Sequence, residues 1–79
     1  MKKYNDKSNV VGDLIKRYRE QKHYTKADLS RKLDLVGISL DGTEIKRIED
    51  SSQVLKDFEL IALIKVLDIS LKDLEILIR

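Results

Sequence analysis

Apolar residues along this chain recur mainly at the three- and four-residue spacing of α-helices, with charged residues largely between them. In the first third of the chain, four apolar positions share one helical face: Val11, Leu14, Ile15 and Tyr18. This spacing predicts a first helix at about residues 10–22. Residues 1–8 lack an apolar period, and we expect residues 1–9 to form a flexible basic arm.

Cap residues mark the starts of two further helices. A hydroxyl side chain followed three residues later by a carboxylate can satisfy the free amide groups of a first helical turn. Thr25 and Asp28 form this pattern and predict a second helix at about residues 26–33. Ser70 and Asp73 repeat it near the carboxyl end, where they predict a fifth helix that runs from the residue after Ser70 to the end of the sequence.

A fourth helix is predicted to begin at Asp57 or at a neighbouring residue. Its apolar face is so wide that we expect it to be largely buried as the core helix of the domain. The residues of this face are Phe58, Leu60, Ile61, Leu63, Ile64 and Leu67.

The stretch "GISLDGTEIKRIED" at residues 37–50 allows two interpretations. Its Asp-Gly pair is typical of a β-hairpin turn, and apolar residues alternate before the pair but not after it. After the pair, Ile45 and Ile48 lie three residues apart, and Asp41 with Glu44 repeats the capping pattern. We favour a helix at about residues 42–50 over the hairpin.

Five short helices with tight connections predict an all-α fold, a compact five-helix bundle. The composition fits this prediction, because 42% of the residues are hydrophobic, 38% are charged and none is proline. At 79 residues the chain has room for one domain. A core of this size rarely supplies more than about 3–5 kcal/mol, which makes self-association or a protein partner a reasonable expectation.

Charge is unevenly divided along the chain, although the net charge is only +2. Residues 1–33 contain ten Lys and Arg and four Asp and Glu, a net charge of +6. Residues 34–79 contain six Lys and Arg and ten Asp and Glu, a net charge of −4. Residues 1–33 are therefore expected to supply the surface that binds a polyanion.

Several functional classes lack the residues that they need. The chain has no cysteine and a single histidine, His23, so we expect neither a metal site nor a cofactor nor a Cys/His nucleophile. Its carboxylates alternate with Lys and Arg as on a solvated face, and no glycine-rich phosphate loop is present. We expect a protein that is not an enzyme. With no run of apolar residues long enough to span a bilayer, we also expect no membrane association and a cytoplasmic location.

Three stretches of the sequence together resemble a known family: "IKRYREQKHYTKADLSRKLDL", "TEIKRIED" and "LIALIKVLDISLKDL". In order and spacing they resemble the helix-turn-helix domain of the phage-repressor and Cro-type (Xre) DNA-binding regulators, over about residues 10–78. The resemblance implies that residues 10–79 form a helix-turn-helix domain, a lambda-repressor-like bundle that contains a helix-turn-helix motif. It is similar to a subgroup with a longer turn, because "DLVGISLDG" separates the two motif helices.

The resemblance implies roles for individual residues. Residues 41–50 would be the recognition helix, with Ile45 and Ile48 facing inward. Arg19 in the first helix and Glu49 late in the recognition helix would form a structural salt bridge. The glycines that often end these helices are replaced here by residues that tolerate the left-handed conformation better than most, namely His23, Asp34 and Asp68.

A recognition helix of this kind reads base edges in the major groove with its outward residues. We expect four residues to contact bases: Gly42, Thr43, Lys46 and Arg47. Four others are expected to contact phosphates. Lys26 lies at the start of the second helix. The other three follow the recognition helix: Ser51, Ser52 and Gln53. Three arm lysines either follow the DNA backbone or belong to a solvated tail: Lys2, Lys3 and Lys7.

Two functions from different classes follow. The first is a transcriptional regulator that binds specific double-stranded DNA sequences, acting as a homodimer on a near-palindromic site. The second is a protein-interaction module, antitoxin-like or an adaptor subunit, that keeps the fold without specific DNA readout. This alternative rests on the acidic second half and on three carboxylates in or beside the recognition helix: Asp41, Glu44 and Asp50.

Overall fold

Five helices follow one another along residues 8–77, the part of the chain that this computed structural model describes. They are α1 (Gly12–Gln21), α2 (Lys26–Leu35), α3 (Gly42–Glu49), α4 (Asp57–Leu67) and α5 (Leu71–Ile76). No strand occurs between residues 8 and 77, so the predicted all-α fold is confirmed and the hairpin interpretation of residues 37–50 is wrong. The Asp-Gly pair begins a helix because Asp41 acts as its cap rather than as a turn residue.

Two helix starts are capped as the sequence predicts. The Thr25 hydroxyl accepts a hydrogen bond from the Asp28 amide at 3.0 Å, and the Asp28 carboxylate accepts one from the Thr25 amide at 2.9 Å. At the start of α3, Asp41 accepts from the Glu44 amide at 2.8 Å and Glu44 accepts from the Asp41 amide at 3.2 Å. Both reciprocal pairs satisfy amide groups that a helix cannot bond internally.

The start of α5 differs from the prediction. Ser70 is the cap, and its hydroxyl accepts from the Lys72 amide at 3.1 Å. The Asp73 carboxylate does not reach back to the cap, because it accepts a hydrogen bond from the Tyr18 hydroxyl on α1. The same hydroxyl accepts from the Ser70 amide at 3.1 Å, so Tyr18 connects α1 to the first turn of α5.

Left-handed backbone ends several of the helices. His23 after α1 and Asp68 after α4 have φ values of 61° and 56°, the left-handed conformation that the sequence analysis expects for these two positions. The expectation for Asp34 is wrong, because α2 continues to Leu35 and the left-handed position is Gly37, with φ of 82°. Glycine takes this conformation without the steric cost that a side chain adds.

One hydrophobic core lies where α1 and α2 pack against both α3 and α4. Twelve described apolar residues are buried in it: Val11, Leu14, Ile15, Leu29, Leu33, Leu40, Ile45, Ile48, Ala62, Leu63, Leu67 and Ile69. Tyr18, which the helical spacing places on the apolar face of α1, is half-buried against the core. Helices α3 and α4 are therefore both oriented by the α1–α2 pair.

The predicted burial of the wide α4 face is wrong in part. Leu63 and Leu67 are buried, but Phe58 is 53% exposed and Ile61 is 63% exposed. The physical reason is that α4 packs on α1 and α2 along one face, and two neighbouring helices cannot cover an apolar face that extends further around it. Within residues 8–77, none of the helices has the length and apolar character needed to cross a bilayer.

Candidate nucleic-acid interface

Helix α3 has a buried face and an exposed face. Ile45 and Ile48 are each 1% exposed and lie in the core, as predicted. Thr43, Lys46 and Arg47 are exposed. At 3.6 residues per turn these three lie within an arc of about 100°, opposite the two isoleucines. The structure therefore brings the three side chains predicted to contact bases to one solvent-facing surface.

The start of α2 lies beside the start of α3. A Cβ atom placed on Gly42 would lie 3.9 Å from the Cβ atom of Lys26, so these two residues are neighbours across the two helices. Lys26 is half-buried and is the first residue of α2, where backbone amides that lack helical partners favour an anion. The predicted base-contact and phosphate-contact residues thus adjoin at this end of the surface.

Lys46 and Arg47 differ in the partners that they have. The Lys46 Nζ atom lies 3.3 Å from Asp50 Oδ2, four residues later on the same exposed face. Both side chains are more than half exposed, so this pair is weak and readily exchanged for another anion. No residue between 8 and 77 forms an ion pair or hydrogen bond with the Arg47 guanidinium. Arg47 is the cation most available for a ligand on this face.

The residues after α3 do not all face solvent. Ser51, predicted to contact a phosphate, is only 8% exposed and has a φ of 63°, so little of its surface faces solvent. Its backbone turns inward to accept a hydrogen bond from the Ser8 amide at 2.8 Å. Ser52 is exposed, and its hydroxyl donates to the Arg47 carbonyl at 3.2 Å. Gln53 is half-buried, and its carbonyl accepts from the Asn9 side chain at 3.0 Å.

The ion pair between Arg19 and Glu49 is present and buried. Arg19 Nε donates to Glu49 Oε2 at 2.6 Å, and Arg19 Nη2 donates to Oε1 at 3.1 Å. Their side chains are 8% and 3% exposed. The hydrogen bond from Arg19 to Glu49 raises the pKa of the guanidinium further above its usual value. A third guanidinium nitrogen donates to the Tyr24 carbonyl at 2.8 Å, so Arg19 joins α1, the turn before α2 and the end of α3.

Gly12 and Asn9 also position α3, a role that the sequence analysis did not predict for either residue. A Cβ atom on Gly12 would lie 2.4 Å from the Ile48 carbonyl oxygen and 2.7 Å from that of Glu49, closer than atoms can approach. Only glycine fits at this contact between α1 and the end of α3. A glycine at the start of a predicted helix was the available signal. Asn9 gave none, because its partners lie 39 and 44 residues away.

Two ring side chains between α1 and α2 lie near this surface in the chain. His23 is exposed in the turn after α1. Tyr24 is half-buried against the core, and the Lys32 ammonium lies 4.8 Å from the centre of its ring. The tyrosine therefore packs rather than offering a free face for a base. Within residues 8–77, no cluster of His, Cys, Asp and Glu side chains could hold a metal ion. The predictions for Lys2, Lys3 and Lys7 lie outside the described residues.

Comparison with known proteins found no match for this chain among protein-family models, curated proteins or solved structures. The surface formed by α3 and the start of α2 is therefore the feature of this molecule that bears on its function. Its features are an exposed face of α3, an Arg47 guanidinium that pairs with no side chain among residues 8–77, and Lys26 beside the first residue of α3.

Proposed function

We propose that this protein is a transcriptional regulator of the phage-repressor and Cro (Xre) type, which binds specific double-stranded DNA sequences. Helices α2 and α3 would form its helix-turn-helix motif, with α3 in the major groove. One observation carries the proposal: Ile45 and Ile48 are buried while Thr43, Lys46 and Arg47 share the exposed face of α3. A recognition helix needs this division, because one face must fix the helix to the core while the other contacts base edges in the groove.

The exposed residues suit base edges in the major groove. The Arg47 guanidinium can donate two hydrogen bonds to the O6 and N7 acceptors of guanine. Lys46 can donate to the same acceptors once it leaves Asp50, and the Thr43 methyl group can contact a thymine methyl. Gly42, at the tip of the helix, allows close approach of the backbone to the groove.

Phosphates would bind at both ends of this surface. Lys26 and the free amides at the start of α2 form the first phosphate position. Beyond the other end of α3, the exposed Ser52 hydroxyl and the half-buried Gln53 side chain are available to the duplex backbone. Six residues connect α2 to α3, which fits a motif with a longer turn than the simple three- or four-residue form.

A homodimer would place two copies of α3 on successive half-sites about 34 Å apart along the duplex. Support for a second copy comes from apolar side chains that the described residues leave uncovered. Leu71 is 75% exposed and Ile76 is 54% exposed, both on α5. A regulator of this kind would work in the cytoplasm of a bacterial cell, where its DNA is located.

The decisive experiment is selection of bound duplexes from a random pool at physiological salt. We expect an enriched motif with two-fold symmetry. Binding to the selected duplex should weaken with salt, with a log–log slope of about −0.9 for each phosphate neutralised. Failure to enrich any sequence, together with an affinity that does not respond to salt, would contradict the proposal.

Three single variants separate base contacts from phosphate contacts. Arg47→Ala should lose about 1–3 kcal/mol on the selected duplex and relax the preference at one base position. Lys26→Ala should weaken binding to all duplexes alike and reduce the salt slope by about 1. Lys65→Ala is the matched control, because it removes the same charge from an exposed position on α4. Equal effects of all three would indicate attraction by net charge alone.

A second candidate function is a protein-interaction module that keeps this fold without DNA readout. The observation that favours it is the acidic surroundings of α3, since Asp41 and Asp50 flank the helix and Asp50 pairs with Lys46. Charge reversal by Lys26→Glu with Arg47→Glu distinguishes the two candidates. It should abolish retention on DNA under the first and leave binding of a protein partner unchanged under the second.

A further inference from the structure

The segment that leads into α1 is bonded to the carboxyl end of α3. The Asn9 Nδ2 group donates to the Ile48 carbonyl at 3.1 Å and to the Gln53 carbonyl at 3.0 Å. Its Oδ1 atom accepts from the Val11 amide at 3.0 Å. One carboxamide therefore joins the start of α1, the last turn of α3 and the loop that follows α3.

This arrangement holds a part of the helix that would otherwise be free to move. The last carbonyl groups of a helix lack partners within it, and water or side chains must satisfy them. Here two donors converge on the Ile48 carbonyl, the Ser51 amide at 3.0 Å and the Asn9 side chain. The adjacent Ser8 amide donates to the Ser51 carbonyl at 2.8 Å, so two consecutive residues hold this end of the helix.

Arg47 is the residue just before the carbonyl that Asn9 holds. Its own carbonyl accepts from the Ser52 amide at 2.9 Å, inside the loop that Asn9 also holds through Gln53. The backbone that follows Arg47, at Ile48 and at Gln53, is thus connected to the start of α1 through one half-buried carboxamide. A small rotation of the last turn of α3 would displace a long exposed side chain such as Arg47 more than any buried one.

We infer that Asn9 is a positioning residue, which sets the direction of Arg47 on the exposed face of α3 by holding the last turn of that helix. The inference rests on the proposed DNA-binding function and adds a specificity-determining residue that does not touch the duplex. Arg19 and Gly12 hold the same turn, but both are buried. Asn9 is the member of this set that can be replaced without opening a buried site.

The test is a double-mutant cycle with Asn9→Ser and Arg47→Ala, measured on the duplex selected by the wild-type protein and on a scrambled duplex. Serine keeps an acceptor for the Val11 amide but cannot span to both carbonyls. Tyr18→Phe is the matched control, because it also removes side-chain hydrogen bonds of a half-buried residue, at the start of α5 and away from α3.

We expect Asn9→Ser to weaken binding to the selected duplex by about tenfold and binding to the scrambled duplex by less than about twofold. In the Arg47→Ala background the same substitution should change affinity by less than about twofold, since the side chain that it positions is absent. At protein concentrations where the variant sediments as the wild-type protein does, Tyr18→Phe should leave both affinities unchanged. Amide exchange at Asp50 and Ser52 should become faster in Asn9→Ser, because these amides close the last turn.

Two results would overturn the inference alone. One is equal weakening on both duplexes, which a general loss of stability predicts. The other is the same weakening with and without Arg47. If the wild-type protein itself selects no sequence, the proposed function fails and this inference fails with it, so the wild-type measurement distinguishes the two failures.

Discussion

At the scale of single residues, the Arg19–Glu49 pair shows how one interaction both stabilises the fold and orients the candidate site. The pair lies at the end of α3, and both side chains are almost completely buried. Desolvation opposes such a pair, but two hydrogen bonds between the partners and a third to the Tyr24 carbonyl compensate for it. The value of the pair is therefore positional as well as energetic.

We expect Glu49→Ala to lower the free energy of unfolding by about 3–5 kcal/mol, because it leaves a buried guanidinium without its counter-charge. A protein of this size could then be largely unfolded at room temperature, so urea titration should be performed with a stabilising osmolyte in all samples. The double variant Arg19→Met with Glu49→Leu is the control and should be more stable than Glu49→Ala. A free energy of unfolding for Glu49→Ala within about 0.5 kcal/mol of the wild-type value would contradict this account.

Gly12 allows a prediction with a control inside the same chain. Gly12→Ala places a methyl group 2.4 Å from the Ile48 carbonyl oxygen, so α1 and α3 must separate. We expect a loss of about 1–3 kcal/mol in the free energy of unfolding. Gly42→Ala has ordinary contact distances, with the nearest atom at 3.9 Å, and should be neutral or stabilising by up to about 1 kcal/mol. Thermal unfolding of both variants by circular dichroism measures the difference.

At the scale of helices, local capping and tertiary contacts make separate contributions. The capping pairs of α2 and α3 lie within four residues of sequence and form as the local pattern predicts. At α5 the corresponding carboxylate is taken by Tyr18 from another helix. This hydrogen bond to Asp73 raises the pKa of the Tyr18 hydroxyl above its usual value of 10.0. The bond contributes stability below that pH, and the contribution is lost as the pH rises through the raised pKa.

The capping pair of α2 leads to a prediction about acid. Hydrogen bonds from the Thr25 amide and hydroxyl lower the pKa of the Asp28 carboxyl below its usual 3.8. The folded state therefore favours the charged carboxylate, and its contribution to stability is present above pH 3.8 and lost as the pH falls through the lowered pKa. Asp28→Asn should be less stable than wild type at neutral pH, and urea titrations should show this difference shrinking in acid. A difference that stays constant with pH would contradict this assignment.

At the scale of the whole molecule, the uncovered apolar surface and the divided charge are the main features. Helix α4 leaves Phe58 and Ile61 exposed, and α5 leaves Leu71 and Ile76 exposed. A domain with so small a core gains stability if a second copy covers such residues. The positive part of the chain, residues 1–33, includes α1 and most of α2, and Lys26 places part of that charge beside α3.

We expect the protein to self-associate through α5, and two leucines allow a matched test. Leu71→Lys should sediment as a monomer at concentrations where the wild-type protein associates, because it places a charge in the proposed interface between the two copies of α5. Leu35→Lys is the control, since Leu35 is 86% exposed at the end of α2 and Leu71 is 75% exposed. Equal effects of the two variants, or a wild-type protein that is monomeric at all concentrations, would contradict association through α5.

Local interactions are the part of this structure that the sequence by itself determined. Helical spacing and capping pairs depend on residues within about four positions of one another, so the all-α fold and the starts of α2, α3 and α4 follow from the sequence. The same spacing places Ile45 and Ile48 inside and Thr43, Lys46 and Arg47 outside. The resemblance to a known family suggested the Arg19–Glu49 pair, which is present in the structure.

Only the tertiary structure decided which of these local possibilities meet partners from distant parts of the chain. Asn9 reaches carbonyls 39 and 44 residues away, and Tyr18 reaches Asp73 across 55 residues. Ser51 is buried because α1 approaches the end of α3 closely at Gly12. The extent of burial along α4 depended on how many helices surround it. Such contacts arise from the arrangement of packed helices, and no pattern of neighbouring residues along the chain encodes them individually.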